Sequence, residues 1–234
     1  MFEKNYALES AIARERSILR NVYLWMSLGL ALTGVVALGI ASNPRLVIGL
    51  ASNPLLFFGV ILAELGLVMY LSARIHVMSA GAATIAFATY AALNGVSLSL
   101  VFLAYTGTSI ASAFFITAGT FGAMSLYAIT TKRDLSGIGN YLMMGLLGLI
   151  IASIVNIFLR SSGMEWMISV VGVLLFVGLT AYDTQIIKSW NQQASYTADE
   201  SIFIRISIIG ALKLYLDFIN LFLFFLRLFG RNRE

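Results

Sequence analysis

Cysteine is absent from the 234 residues, histidine occurs once, at position 76, and proline twice, at 44 and 54. The first absence removes disulfides, thiolate nucleophiles and cysteine-built metal sites. A single histidine excludes a histidine-rich metal centre, and His76 reads as a surface residue beside a helix end. Charge is scarce as well. Only 11% of the chain is Asp, Glu, Lys or Arg, against about 25% in a soluble domain. With 59% of residues hydrophobic, there is too little polar side chain to cover a water-facing surface, and lipid is the natural solvent for the surplus. No basic stripe with interleaved aromatics is present, which argues against a nucleic-acid binder.

What the chain has is length in its apolar runs. A helix crossing ~30 Å of hydrocarbon needs about 20 residues, and windows at 22–42, 55–74, 80–105, 109–130, 141–160, 166–188 and 206–229 qualify. The runs are continuous and do not alternate as a membrane barrel would. They are rich in Gly, Ala and Ser, which let membrane helices approach closely. The predicted class is therefore all-α: a polytopic integral membrane protein with seven transmembrane helices. A tail at 1–21 precedes the membrane domain at 22–229, and a tail at 230–234 follows it. The first run reads as a retained span, because no small-residue cleavage site ends it.

The breaks between runs are polar or helix-breaking: Asn43-Pro44, Asn53-Pro54, Arg74 to His76, Thr106 to Thr108, Lys132 to Asp134, Ser161 to Gly163, and a longer connection at 189–205. The tetrapeptide Ala-Ser-Asn-Pro at 41–44 recurs at 51–54 and reads as a duplication within the first loop. No interrupted spans stand out in corresponding halves, so a porter of organic solutes built on broken helices is not indicated.

Seven crossings place nine Lys and Arg residues on the side of the N-terminus: four in the tail, Arg74, Lys132, Arg133, Lys188 and Arg205. Five fall on the other side: Arg45, Arg160, Arg227, Arg231 and Arg233. The balance predicts a cytoplasmic N-terminus. The basic C-terminal tail dissents, and a last helix that did not fully traverse would satisfy it.

Ionisable residues inside spans are costly and usually face a bundle interior. Those here are Glu64, Asp183, Lys213 and Asp217, with Arg74 at a span edge where it can snorkel. Helical spacing back from Asp183 gives Thr180, Phe176, Gly172 and Ser169, a small and polar stripe. The face of Asp217 carries Gly210, Lys213 and Asn220. If the sixth run extends to Trp190 and the seventh enters near Gly210, the two carboxylates lie level, toward the cytoplasmic side. The plainer alternative pairs Asp217 with Lys213 one turn away and Asp183 with a neighbouring hydroxyl.

The stretch Leu214-Tyr215-Leu216-Asp217-Phe218-Ile219-Asn220-Leu221-Phe222 resembles the last helix of the Bax inhibitor-1 family nearly residue for residue. Tyr182-Asp183, Lys132-Arg133-Asp134-Leu135-Ser136 and Asn156-Ile157-Phe158 match as well, and the resemblance covers about residues 15–230. It implies a seven-helix fold with the last helix central, and a pH-sensitive calcium leak. It further implies that Asp183 and Asp217 act as the paired pH sensor on the ion path and hold calcium weakly and transiently. Glu64 is implied as a pathway acid and Arg74 as a latch that turns inward in the closed state. Two features depart from the family: the long connection between the aspartates, and Lys213, whose charge favours ionised Asp217. The only cofactor-like species implied is calcium as the permeant ion; the partners are lipid and, in some bacterial relatives, a membrane-bound protease whose activity is modulated. The expected location is a bacterial inner membrane.

Two aspartates in adjacent membrane helices also describe an intramembrane aspartyl protease, since two carboxylates sharing a proton suit that chemistry. Here Leu214, Tyr215 and Leu216 precede Asp217, where a Gly-x-Gly-Asp motif is needed, and no Pro-Ala-Leu motif occurs. The expectation is that the chain is no enzyme. An interaction protein that docks a partner through its charged N-terminal tail is the remaining rival.

Overall fold

The computed structural model describes residues 2–194 and 200–231, with side chains placed for 18–190 and 200–231. The charged side chains of the N-terminal tail from Glu3 to Arg16, the middle of the 189–205 connection, and Arg233 lie outside the described residues. Among the described residues the regular elements are helical throughout. They are α1 (Phe2–Ala41), α2 (Pro44–Ser52), α3 (Pro54–Arg74), α4 (Ala80–Leu98), α5 (Val101–Ala104), α6 (Gly107–Thr130), α7 (Gly139–Leu159), α8 (Ser162–Ala194) and α9 (Glu200–Phe229), with one turn of 3₁₀-helix at Ser136–Ile138. Seven stretches are long and apolar enough to span a membrane: Ile18–Ala41, Pro54–Arg74, Ala80–Ala104, Gly107–Thr130, Ser136–Leu159, Ser162–Trp190 and Glu200–Phe229. Helices suit this composition because lipid leaves no outside partner for a backbone N–H or C=O. Apolar side chains such as Leu55, 84% exposed, and Phe158, 81% exposed, are turned outward where a soluble protein would bury them.

The repeated Ala-Ser-Asn-Pro has a mechanical meaning. Each Asn caps a helix and each Pro opens it, as position N1 tolerates. Asn43 Oδ1 accepts from Arg45 N at 3.1 Å to begin α2, and Asn53 Oδ1 accepts from Leu56 N at 3.1 Å to begin α3. What reads as a loop from composition is thus a nine-residue helix with Val47 and Leu50 buried.

The third span is not continuous. It breaks at Ser99–Leu100, between α4 and α5. Ser97 and Ser99 explain the break, because their hydroxyls bond back to carbonyls of the preceding turn. Ser99 Oγ donates to Val96 O at 2.6 Å, and Ser99 N reaches both Gly95 O and Val96 O. The polar turn expected at 161–163 is shorter and one residue earlier: Arg160, in the left-handed region at φ 50°, and Ser161 make it, and Ser162 and Gly163 are already helical. The last helix, Glu200–Phe229, runs 30 residues and begins ahead of the apolar window at 206–229.

Two compact units divide the chain, and each has its own core. One comprises residues up to Ala104 with Lys188–Tyr215. In it α4 packs on α1 and α3, and the contact is close because Gly95 lies against the Thr33 carbonyl, where an added Cβ would sit 2.7 Å away. Thr33 Oγ1 is 2.8 Å from Ala91 O and 2.7 Å from the Tyr215 hydroxyl. The Tyr215 ring meets Phe87 and Tyr90 edge-on, at 5.9 and 5.8 Å. Arg205 ties the start of α9 to the turn after α3, donating to the carbonyls of His76 at 2.6 Å and Met78 at 3.3 Å. His76 itself is exposed, as expected.

The other unit comprises Tyr105–Ile187 with residues from Leu216 onward. Its α7 packs on α8 through glycines: Gly145 faces Leu175, and Gly178 faces Leu142. Phe218 of α9 meets Phe114 and Phe121 of α6, at 5.6 and 5.5 Å. The end of α9 is fastened to the start of α6, since Thr106 N donates to Arg231 O at 3.2 Å and Arg231 N donates to Ser109 Oγ at 2.9 Å. At 30 residues without a break, α9 is long enough for a full crossing. That span is also the most enclosed of the seven, at 72% buried against 6–44% for the others.

Candidate functional site

Asp183 is 6% exposed, at the end of the buried stripe that helical spacing predicts: Ser169, Gly172, Phe176 and Thr180 are all buried. Its neighbours fix it in place. Tyr182 lies against Gly139 of α7, where an added Cβ would come within 2.5 Å of the ring. Thr184 Oγ1 reaches Ser125 Oγ of α6 at 3.5 Å. Gln185 clamps the charged loop, its Nε2 donating to Arg133 O at 2.8 Å while its Oε1 accepts from Leu135 N at 2.6 Å. The two motifs Tyr-Asp-Thr-Gln and Lys-Arg-Asp-Leu-Ser are therefore one structural feature. In the loop, Asp134 Oδ1 accepts from Ser136 N at 2.9 Å. That bond and the Ser136 hydroxyl hold the exposed Asp134 carboxylate below its ordinary value.

Asp217 is 4% exposed and belongs to the same compact unit as Asp183. Aromatic packing sets the register of α8 against α9. The rings of Phe176 and Phe224 are 5.8 Å apart, and Gly172 has Phe224 ring atoms 2.7 Å from where its Cβ would be. Asp183 lies seven residues beyond Phe176, and Asp217 seven residues before Phe224. Seven residues are about two turns, which return to the same helix face. In antiparallel helices that touch at Phe176 and Phe224, the two carboxylates are level and on the faces that meet.

The profile described as "Inhibitor of apoptosis-promoting Bax1" matches residues 15–234. The chain belongs to the Bax inhibitor-1 family. The Escherichia coli K12 protein named "Inner membrane protein YbhL" is 48% identical over 232 residues, covering 99% of both chains. An uncharacterised protein of Borreliella burgdorferi is 45% identical over 220 residues, 94% of each chain. One of Rickettsia prowazekii is 44% identical over 219 residues, 94% of this chain and 91% of its own.

The remaining residues that the Bax inhibitor-1 resemblance singles out lie in the first unit. Glu64, half-buried near the middle of α3, accepts a hydrogen bond from Ser97 Oγ, just before the break in the third span. Arg74 ends α3 with its side chain exposed. Lys213 is half-buried one turn before Asp217. Among the described residues no three His, Cys, Asp or Glu side chains gather as a metal site. Sequence reasoning missed Gln185, Gly139 and the Phe176–Phe224 contact. The only signal for the last was a phenylalanine seven residues from each aspartate.

Proposed function

We propose that this membrane protein is a pH-dependent calcium leak, with Asp183 and Asp217 as its sensor and part of its ion path. The observation that carries the reading is the helix register that sets two buried carboxylates level on facing sides of α8 and α9. With one proton shared, a hydrogen bond holds the helices together. As pH rises the second proton leaves, and two facing negative charges repel and loosen the packing. The freed carboxylates are hard oxygen ligands of the kind calcium takes. Two of them fall short of six to eight oxygens, so water and carbonyls complete the shell and binding is transient. Glu64 is a second pathway acid, and Lys213 biases Asp217 toward its ionised form.

The location that goes with this reading is the bacterial inner membrane, the site named for the Escherichia coli relative, with the N-terminus cytoplasmic. The protein carries out no covalent chemistry. The test is calcium flux into proteoliposomes of purified protein across a pH series. The expected result is a leak that is small in acid and rises toward neutral pH. A flux equal to that of empty liposomes at every pH contradicts the reading. Modulation of a membrane-bound protease is the second reading. It is favoured by α1, whose helix continues N-terminally of the first span to Phe2. Deleting residues 2–17 tests it, since loss of partner binding with the leak intact supports it.

A further inference from the structure

A cavity of about 260 Å³ opens at the end of α8 and α9 away from the charged 131–135 loop. Tyr105, Ser162, Glu165, Ser169 and Arg227 line it, so its walls are polar. The stripe that begins at its floor, with Ser169, leads along α8 to Thr180 and Asp183. Between the cavity and the carboxylates stand Phe176 and Phe224, 5% and 7% exposed, with their rings 5.8 Å apart and 32° from parallel.

Phe224 is held on three sides. Phe176 lies against one side of it. Gly172 lies beneath, with no room for a methyl group, since a Cβ there would be 2.7 Å from three ring carbons. The Arg227 guanidinium lies over the ring at 5.5 Å from its centre, on the cavity side. A cation over an aromatic face is attracted by the ring's quadrupole, so this contact holds the ring in place and caps it toward water. Elsewhere the stripe carries small or polar side chains; at this level an ion would meet only hydrocarbon. A ring of apolar side chains closes a pathway by keeping water out.

We propose that Phe176 and Phe224 form an apolar constriction that separates the polar cavity from the carboxylate pair and sets the basal leak, with Arg227 holding Phe224 in place. The constriction serves the calcium path proposed above, but its existence is tested separately. Phe224→Ala should raise the calcium leak at acid pH by about tenfold, equivalent to ~1.4 kcal/mol removed from the barrier. Phe224→Leu keeps an apolar plug and should leak like the wild type, which distinguishes lost closure from lost folding. Gly172→Ala pushes the ring aside and should leak more.

The cysteine-free chain permits a second measurement that needs no calcium. A single cysteine at Ser162 should react with a membrane-impermeant thiol reagent applied from the cavity face. One at Thr180 should react only when Phe224→Ala is also present. Labelling of the Thr180 position with Phe224 intact overturns the constriction, as does an unchanged leak in well-folded Phe224→Ala. A labelling pattern as described with no calcium flux in any variant would retain the constriction and discard calcium.

Discussion

Asp134 and Asp183 are acids of one compact unit, forty-nine residues apart in sequence, with Gln185 clamping the loop that holds Asp134. Asp134 is exposed and held below its ordinary value by the Ser136 N–H and hydroxyl. Because its folded value is lowered, the contribution of this turn is complete above the ordinary carboxylate range and fades as pH falls through it. Asp134 is exposed in the loop and is neither of the two buried carboxylates. Asp134→Asn should therefore leave the pH profile of the leak superimposable on the wild type; a displaced midpoint would assign sensing to the loop. Gln185→Ala removes one donor and one acceptor from the same loop. At about 1 kcal/mol per bond, it should lower the unfolding temperature of the purified protein in detergent. An unchanged unfolding temperature would mean that the clamp contributes nothing. The aspartates were legible in the sequence because a carboxylate inside an apolar run needs a reason. Gln185 and Gly139 were not, because their partners lie about fifty and forty residues away and nothing local marks them.

At the scale of elements, the spans could be read from length and hydropathy, but two features could not. The break at Ser99–Leu100 is hidden because Leu98, Leu100 and Val101 keep the run apolar, while the serines spend their hydroxyls on backbone carbonyls. Helix α2 is hidden because Asn-Pro twice in ten residues reads as loop punctuation, when each pair is a helix start. The last helix begins before its apolar run at 206–229, since Arg205 and Glu200 look like loop residues until Arg205 is seen holding the turn after α3. Asn53→Ala should cost about 1 kcal/mol through loss of the cap. The glycines separate into two kinds that sequence does not distinguish. Gly95→Ala drives a methyl group to 2.7 Å from the Thr33 carbonyl, a backbone atom that cannot swing away. A destabilisation of about 1–3 kcal/mol follows. Gly34→Ala has nothing within 4 Å and should be near neutral. Thermal unfolding of both variants in one detergent checks the pair; equal effects would contradict the close approach of α1 and α4.

For the whole molecule, scarcity of charge and of special residues settles the solvent, and seven crossings follow from the count of apolar runs. The odd number of spans sends the termini to opposite faces. Reporters active on one side only, fused to each end, should show the N-terminus cytoplasmic and the C-terminus outside. Both ends reporting the same side would contradict seven crossings. Nothing in the composition announces the proposed leak, which would rest on two buried carboxylates thirty-four residues apart in sequence. The central claim is that these carboxylates titrate as one unit. Calcium flux in proteoliposomes across a pH series, for the wild type, Asp183→Asn and Asp217→Asn, tests it most directly. Each variant should flatten the pH dependence, because one titrating partner is gone, and the two should differ in absolute rate, because Lys213 sits beside only one of them in sequence. If both variants, well folded, keep the wild-type pH profile, the coupled-pair account is wrong.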